Sequence, residues 1–146
     1  VKNGQDREAR WQMMMCSTEG ALSFIKGLGA VHAMSHAAGR IARLNLHHGT
    51  LNAVFLPAVL RFNEPECGDK YERLRLAIGL ASGADLADAV AAMNADIGLP
   101  AGLGAMGVEE DDIPELIAYA QKDLSARTNP RQASADDFEM MIRQSL

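Results

Sequence analysis

Gly27-Leu28-Gly29-Ala30-Val31-His32-Ala33-Met34-Ser35-His36, continued through His47-His48-Gly49 to Asn63, is the stretch around which the chain is organised. All four histidines lie between positions 32 and 48. The spacing of His32 and His36 on a helix stacks both imidazoles on one face, about one turn apart. A metal ion, or a substrate held by one, is within reach of both. His48 stands just before Gly49 at the start of the next helical pattern, where a neighbouring turn can bring it to the same place. Ala33, Ser35, Ala37, Ala38 and Gly39 are small and leave room for a ligand above the helix. A lone histidine is commonly a polar tip satisfied by backbone carbonyls or an exposed side chain. Two adjacent imidazoles set among Ala, Val, Met and Gly need partners.

Helical periodicity extends outward on both sides. From about Asp6 to Lys26, Trp11, Met14, Met15, Thr18, Leu22 and Ile25 recur at intervals of three and four, which predicts a buried stripe. The run Met13 to Met15 reads as adaptable core filler, a better account than a soft copper site. Gly27 and Gly29 break that helix and open the one carrying His32 and His36. Arg40 to Asn45 reads as a helix end and a loop. Gly49 to Phe62 is helical, with Leu51, Val54, Phe55, Ala58 and Phe62 on one face and a kink expected at Pro57. Asn63-Glu64-Pro65-Glu66-Cys67-Gly68 reads as a turn. Helices follow from about Asp69 to Ala81 (Tyr71, Leu74 and Ile78 inward) and from Asp85 to about Ile97 (Leu86, Val90, Met93 and Ile97 inward). Gly98 to Gly107 is a glycine-rich loop. Glu109-Glu110-Asp111-Asp112 before Pro114 suits a helix N-terminus, and that helix is expected to reach about Ala126. An acidic Ca²⁺ or Mg²⁺ site is disfavoured there for want of a glycine-centred ligand loop. After a turn at Thr128-Asn129-Pro130-Arg131, Ser134-Ala135-Asp136-Asp137 resembles a capping box opening the last helix. No strand pattern or internal repeat is present. The expected fold is an all-α bundle of about six or seven helices, with residues 1–146 as one domain.

Composition narrows the function classes. A chain of 146 residues, 48% hydrophobic and 23% charged, suits one soluble core. Its net charge of −5 argues against nucleic acid and anionic membrane as partners. No apolar run approaches a bilayer span, and Val1 to Asp6 carries no apolar signal region, so the expected location is the cytoplasm. The missing initiator Met suggests that upstream sequence has been removed. Cys16 and Cys67 match no metal spacing and are expected to stay reduced.

Three readings of the central stretch fail on chemistry. A zinc protease places its glutamate base directly after the first histidine, where this chain has Ala33. A closed structural zinc site lacks nearby cysteine. Gly27-Leu28-Gly29 follows a helix and lacks the third glycine of a dinucleotide-binding loop.

What remains is a resemblance. Gly27 to His36, followed by His48-Gly-Thr-Leu-Asn-Ala-Val-Phe-Leu-Pro-Ala-Val-Leu-Arg-Phe-Asn63, is similar to the signature of the iron-containing (group III) alcohol dehydrogenases. Asp6 to Ala21 resembles the helix before that signature, and Asp123 through Thr128-Asn129-Pro130-Arg131 the C-terminal segment. The resemblance implies an NAD(P)-dependent oxidoreductase in which an α/β nucleotide-binding domain precedes an all-helical metal-binding domain, only the latter being represented here. It implies a divalent metal, iron and sometimes zinc, held by one Asp and three His. His32 and His48 match signature ligands, and the other two would come from an earlier helix. His36 matches the histidine that faces nicotinamide and substrate, a candidate for relaying the alcohol proton. The metal would act as a Lewis acid on the oxygen of a small alcohol, hydroxy acid or aldehyde while hydride moves to or from NAD or NADP. Asn52 and Asn63 match signature positions and read as packing or capping groups. This chain departs from the pattern in two places. The interval from His36 to His48 is about two residues longer than usual, and Ala37 stands where proline is common. His47 therefore remains an alternative ligand to His48. Taken alone, the fragment is expected to be inactive and metal-free, and apolar surface left by the missing half is expected to drive homo-oligomerisation. The competing reading is a stand-alone helical interaction module without activity.

Overall fold

Residues 2–146 are described by a computed structural model, and every regular element in them is helical; Val1 lies outside the described residues. Six α-helices follow in order: α1 (Arg7–Leu22), α2 (Ala30–Ala38), α3 (His48–Ala77), α4 (Leu86–Asp96), α5 (Ile113–Ala120) and α6 (Ala135–Arg143). Short 3-10 turns interrupt the connections, among them Ser23–Lys26 after α1 and Leu124–Thr128 after α5. The main core joins α2, the first half of α3, α5 and α6. Met34, Leu51, Phe55, Leu103, Ile113, Leu116, Phe138, Met141 and Ile142 are fully buried there. A smaller cluster of Cys67, Tyr71 and Leu86 joins the second half of α3 to α4.

The helix ends have identifiable causes. Asp6, Asp85 and Ser134 each accept a bond from the amide three residues on, satisfying donors that a helix start leaves free. Ser134 and Asp137 form the expected reciprocal box. The acidic run behaves likewise. Glu109 and Asp112 box the 3-10 turn Glu110–Asp112 that leads into α5, with Pro114 in the first turn of the helix.

The largest departure from expectation is α3. It is one 30-residue helix, continuous through Pro57 and Pro65, although the composition of 63–68 predicts a turn. Proline removes one amide and leaves the carbonyl four residues earlier without its partner. For Pro57 that carbonyl is Ala53's, and Asn94 of α4 supplies the missing donor at 2.8 Å. Pro65 lies on an exposed face, where water can serve the freed carbonyl. The sides of Phe62, Asn63, Cys67 and Tyr71 are buried, so packing holds the helix through a sequence rich in turn residues.

Three expected inner faces are corrected. Trp11 (50% exposed), Met14 (63%) and Ile25 (92%) face solvent, and α1 buries no residue, because it packs chiefly against the turn that follows it. Leu74 and Ile78 are also exposed, as are Met93 and Ile97. In their place Arg75 is buried, bonded to the Ala84 carbonyl and paired with Glu64. The helix expected to reach Ala126 ends at Ala120, and the chain continues as a 3-10 turn.

One buried polar knot ties these parts together. The Asn129 carboxamide oxygen accepts from the Ala30 amide (3.1 Å) and from the Asn63 side chain (3.2 Å). Its nitrogen donates to Asn63 Oδ1 (2.7 Å) and to the Arg131 carbonyl (2.6 Å). The knot thus joins the start of α2, the middle of α3 and the segment before α6. Gly29 lets it close, since a Cβ there would meet Asn129 Oδ1 at 2.9 Å. Gly27 is required twice over, by φ of 92° and by the Thr128 side chain 2.6 Å from where its Cβ would be.

Asn129→Leu leaves the Ala30 amide and the Asn63 carboxamide buried without partners. It should lower stability by about 2–4 kcal/mol. Asn63→Leu should behave similarly, and the double variant should lose clearly less than the sum, measured as urea-denaturation midpoints in a double-mutant cycle. A second expectation concerns acid. Bonds from the Ser134 amide and hydroxyl hold Asp137 below the usual carboxylate range, and Arg43, then the Glu109 amide, do the same for Asp112. Folding lowers both pKa values, so the unfolded chain binds protons first. Their stabilisation is present above the ordinary value of about 3.9 and is lost as pH falls through the folded values. Urea midpoints should fall as pH drops below about 4, and Asp137→Asn should reduce that acid dependence.

Candidate functional site

The small residues of α2 decide where its histidines go. Ala30, Ala33, Met34, Ala37 and Ala38 are buried and clamp one face against α3 and α5. His32 and His36 occupy the other face, partly open to solvent, with ring centroids 5.8 Å apart in an edge-to-face contact. His48 is the first residue of α3, and its ring lies 5.2 Å from each of the other two. Three imidazoles from two helices therefore converge. Phe24, from the turn before α2, closes one side edge-on to His32 at 5.9 Å.

His47 has a different position. It is the N-cap of α3, with Nδ1 accepting from the Thr50 amide (3.3 Å) and lying 3.1 Å from the Thr50 hydroxyl. In the loop between α2 and α3, Asn45 adopts φ of 47°, a conformation asparagine tolerates. Asn52 lies one turn beyond His48, and its amide nitrogen contacts His48 Nε2 at 3.2 Å. The Asn52 carbonyl oxygen is buried without a partner. Asn63 belongs to the structural knot, as a packing role requires.

Electrostatics favour neutral rings at the two proposed donors. Burial lowers the pKa of His32, and His48 and His36 lower it further, against a smaller opposing effect of Asp123. His48 is lowered by burial, then by His36 and His47. Neutral imidazole is the form that donates to a metal. The residue that sequence reading missed as a partner is Asp123, whose Oδ2 stands 2.9 Å from His36 Nδ1. Burial pushes the Asp123 carboxyl up, but bonds from Ser125 and His36 outweigh it and the net direction is down. The ionised carboxylate accepts from Nδ1–H and leaves His36 Nε2 as the basic nitrogen.

As a metal site the arrangement is partial. Two neutral imidazoles, on His32 and His48, fit a divalent first-row ion. Among the described residues, however, no three His, Cys, Asp or Glu side chains are disposed to hold an ion together.

The model of the Fe-containing alcohol dehydrogenase family, C-terminal, matches residues 1–146. A 4-hydroxybutyrate dehydrogenase of Cupriavidus necator is 50% identical across the whole chain, which spans 40% of that protein. A lactaldehyde reductase of Escherichia coli K12 is 36% identical over 91% of the chain and 37% of its own length. Among solved structures, a 1,3-propanediol oxidoreductase superimposes with a TM-score of 0.76 at 31% identity, over 82% of this chain and 33% of that one. The chain thus spans about two-fifths of the length of the curated relatives it matches. By sequence match and by fold, it belongs to the Fe-containing alcohol dehydrogenase family, as the C-terminal portion.

Proposed function

We propose that these residues form the helical, metal-binding part of an NAD(P)-dependent oxidoreductase acting on small alcohols, hydroxy acids or the matching aldehydes. The nucleotide-binding domain would belong to the remainder of the longer protein, working in the cytoplasm. The observation that carries this reading is the convergence of His32, His36 and His48 from two helices, with ring centroids 5.2–5.8 Å apart. The name of the 50% identical relative brings hydroxy acids within the substrate range.

His32 and His48 would hold a divalent ion, iron or zinc, together with ligands from the remainder of the protein. When bound, that ion supplies Lewis acidity at the substrate oxygen. His36 has a separate role. With Nδ1–H engaged by Asp123, its Nε2 can accept the alcohol proton in oxidation and return it in reduction. Asp123 fixes the tautomer, and Ser125 holds Asp123 in turn through its amide at 2.8 Å. Asn52 restrains the His48 ring. The exposed apolar side of α1 supports a covering element from elsewhere in the longer protein. An upstream reading frame encoding a nucleotide-binding domain would favour this account over a stand-alone interaction module.

In the full-length protein, His32→Ala should abolish both bound metal, measured by elemental analysis, and turnover. Metal retained at wild-type stoichiometry would overturn the ligand assignment. His36→Ala should leave metal in place and lower kcat by roughly 10²- to 10⁴-fold, the range for loss of a positioned acid–base group.

A further inference from the structure

One groove beside the histidines has a chemistry the proposed proton and metal roles do not use. It encloses ≈ 220 Å³ and is lined by His36, Ala37, Arg40, Tyr119, Lys122 and Asp123. Arg40 lies one turn beyond His36, past the end of α2, and its guanidinium stacks on the Tyr119 ring at 4.0 Å. Arg43, three residues on, is held by both oxygens of Asp112 at 2.7 and 2.8 Å. Arg40 has no such carboxylate partner among the described residues, and neither has Lys122. Stacking fixes the plane of the guanidinium and leaves its edge available for a bidentate acceptor. Asp123, the groove's own carboxylate, is already engaged by His36 and by the Ser125 amide.

We propose that Arg40 and Lys122 bind the carboxylate of a short ω-hydroxy acid whose hydroxyl end lies at the His36 side of the groove, making them determinants of substrate choice. The inference rests on the dehydrogenase reading above and narrows its substrate class. His36 and Arg40 line the same groove, so one short ligand can meet both. A neutral alcohol gains nothing from either cation. Positions just past the ends of α2 and α5 also suit cations on helix-dipole grounds alone, a purely structural role that substrate discrimination separates from binding.

The test uses full-length, metal-loaded enzyme and compares kcat/KM for 4-hydroxybutyrate with kcat/KM for butan-1-ol. The wild type should favour the acid. Arg40→Gln should reduce the acid-to-alcohol ratio by roughly 10- to 100-fold, mainly through KM for the acid, the range expected for losing a charge-assisted bond. Lys122→Gln should reduce it less, and Arg40→Lys should restore part of it. An unchanged ratio, or a parallel fall for both substrates accompanied by lower thermal stability, would overturn the proposal in favour of the structural role. A change in NADP-over-NAD preference without a change in the ratio would also overturn it, assigning the cations to a coenzyme phosphate. Wild-type enzyme that oxidises butan-1-ol but not the acid defeats this inference and leaves the dehydrogenase reading standing. Turnover of neither substrate with either coenzyme defeats the dehydrogenase reading itself.

Discussion

The reciprocal carboxamide pair of Asn63 and Asn129 is the constraint on which the placement of everything else depends. The pair meets parts of the chain that are far apart in sequence, at the start of α2, the middle of α3 and the segment before α6. A carboxamide suits this position because it offers donors and acceptors together without carrying charge into the core. An apolar residue would strand the first amide of α2, and a carboxylate would set an acceptor against the Arg131 carbonyl. By accepting from Ala30, Asn129 fixes where α2 begins, and the rotational setting of His32 and His36 follows from that start. The contact of Thr128 with the Leu28 carbonyl holds the same entry from the adjacent residue. Structural precision at the histidines is thus supplied from the far end of the sequence.

Electrostatics explain why three bases can share one small region. Crowded imidazoles would repel as cations, and partial burial already disfavours their charged forms at His32 and His48. The Asp123 carboxylate is directed at His36 and engages its Nδ1. On the proposed assignment the rings are divided by role, His32 and His48 donating lone pairs and His36 holding and releasing a proton. The distinction depends on surroundings, since the three side chains are chemically identical.

Features governed by neighbours in sequence are legible without coordinates. The histidine spacing on α2, the buried face of Leu51, Val54, Phe55, Ala58 and Phe62, and the Ser134 capping box are all local patterns, and the helical family fold follows from them. What escapes such a reading depends on partners. Asn-Glu-Pro-Glu-Cys-Gly at 63–68 has turn composition, yet Asn129 captures Asn63 and the buried side of α3 outweighs the prolines. The carbonyl freed by Pro57 is satisfied by Asn94, 41 residues from Ala53. Asp123 meets His36 across 87 residues, and no periodicity announces such a pair. The error at α1 has the opposite sense. Its periodicity is real, but no element among the described residues lies over Trp11 and Met14.

Those exposed faces and the partial ligand set have a common thermodynamic reading. On the proposed assignment, this chain contributes two neutral imidazoles and the remainder of the longer protein contributes the other ligands. The metal then binds strongly only to the assembled pair, so its binding free energy is also free energy of association between the two parts. Linkage is reciprocal: association with that remainder raises metal affinity by the same factor by which metal raises association. The 3-10 turn Ser23–Lys26 joins these effects physically, because it connects the uncovered helix to Phe24, which rests edge-on against His32. Covering α1 would therefore order a wall of the histidine cluster as well as bury apolar surface.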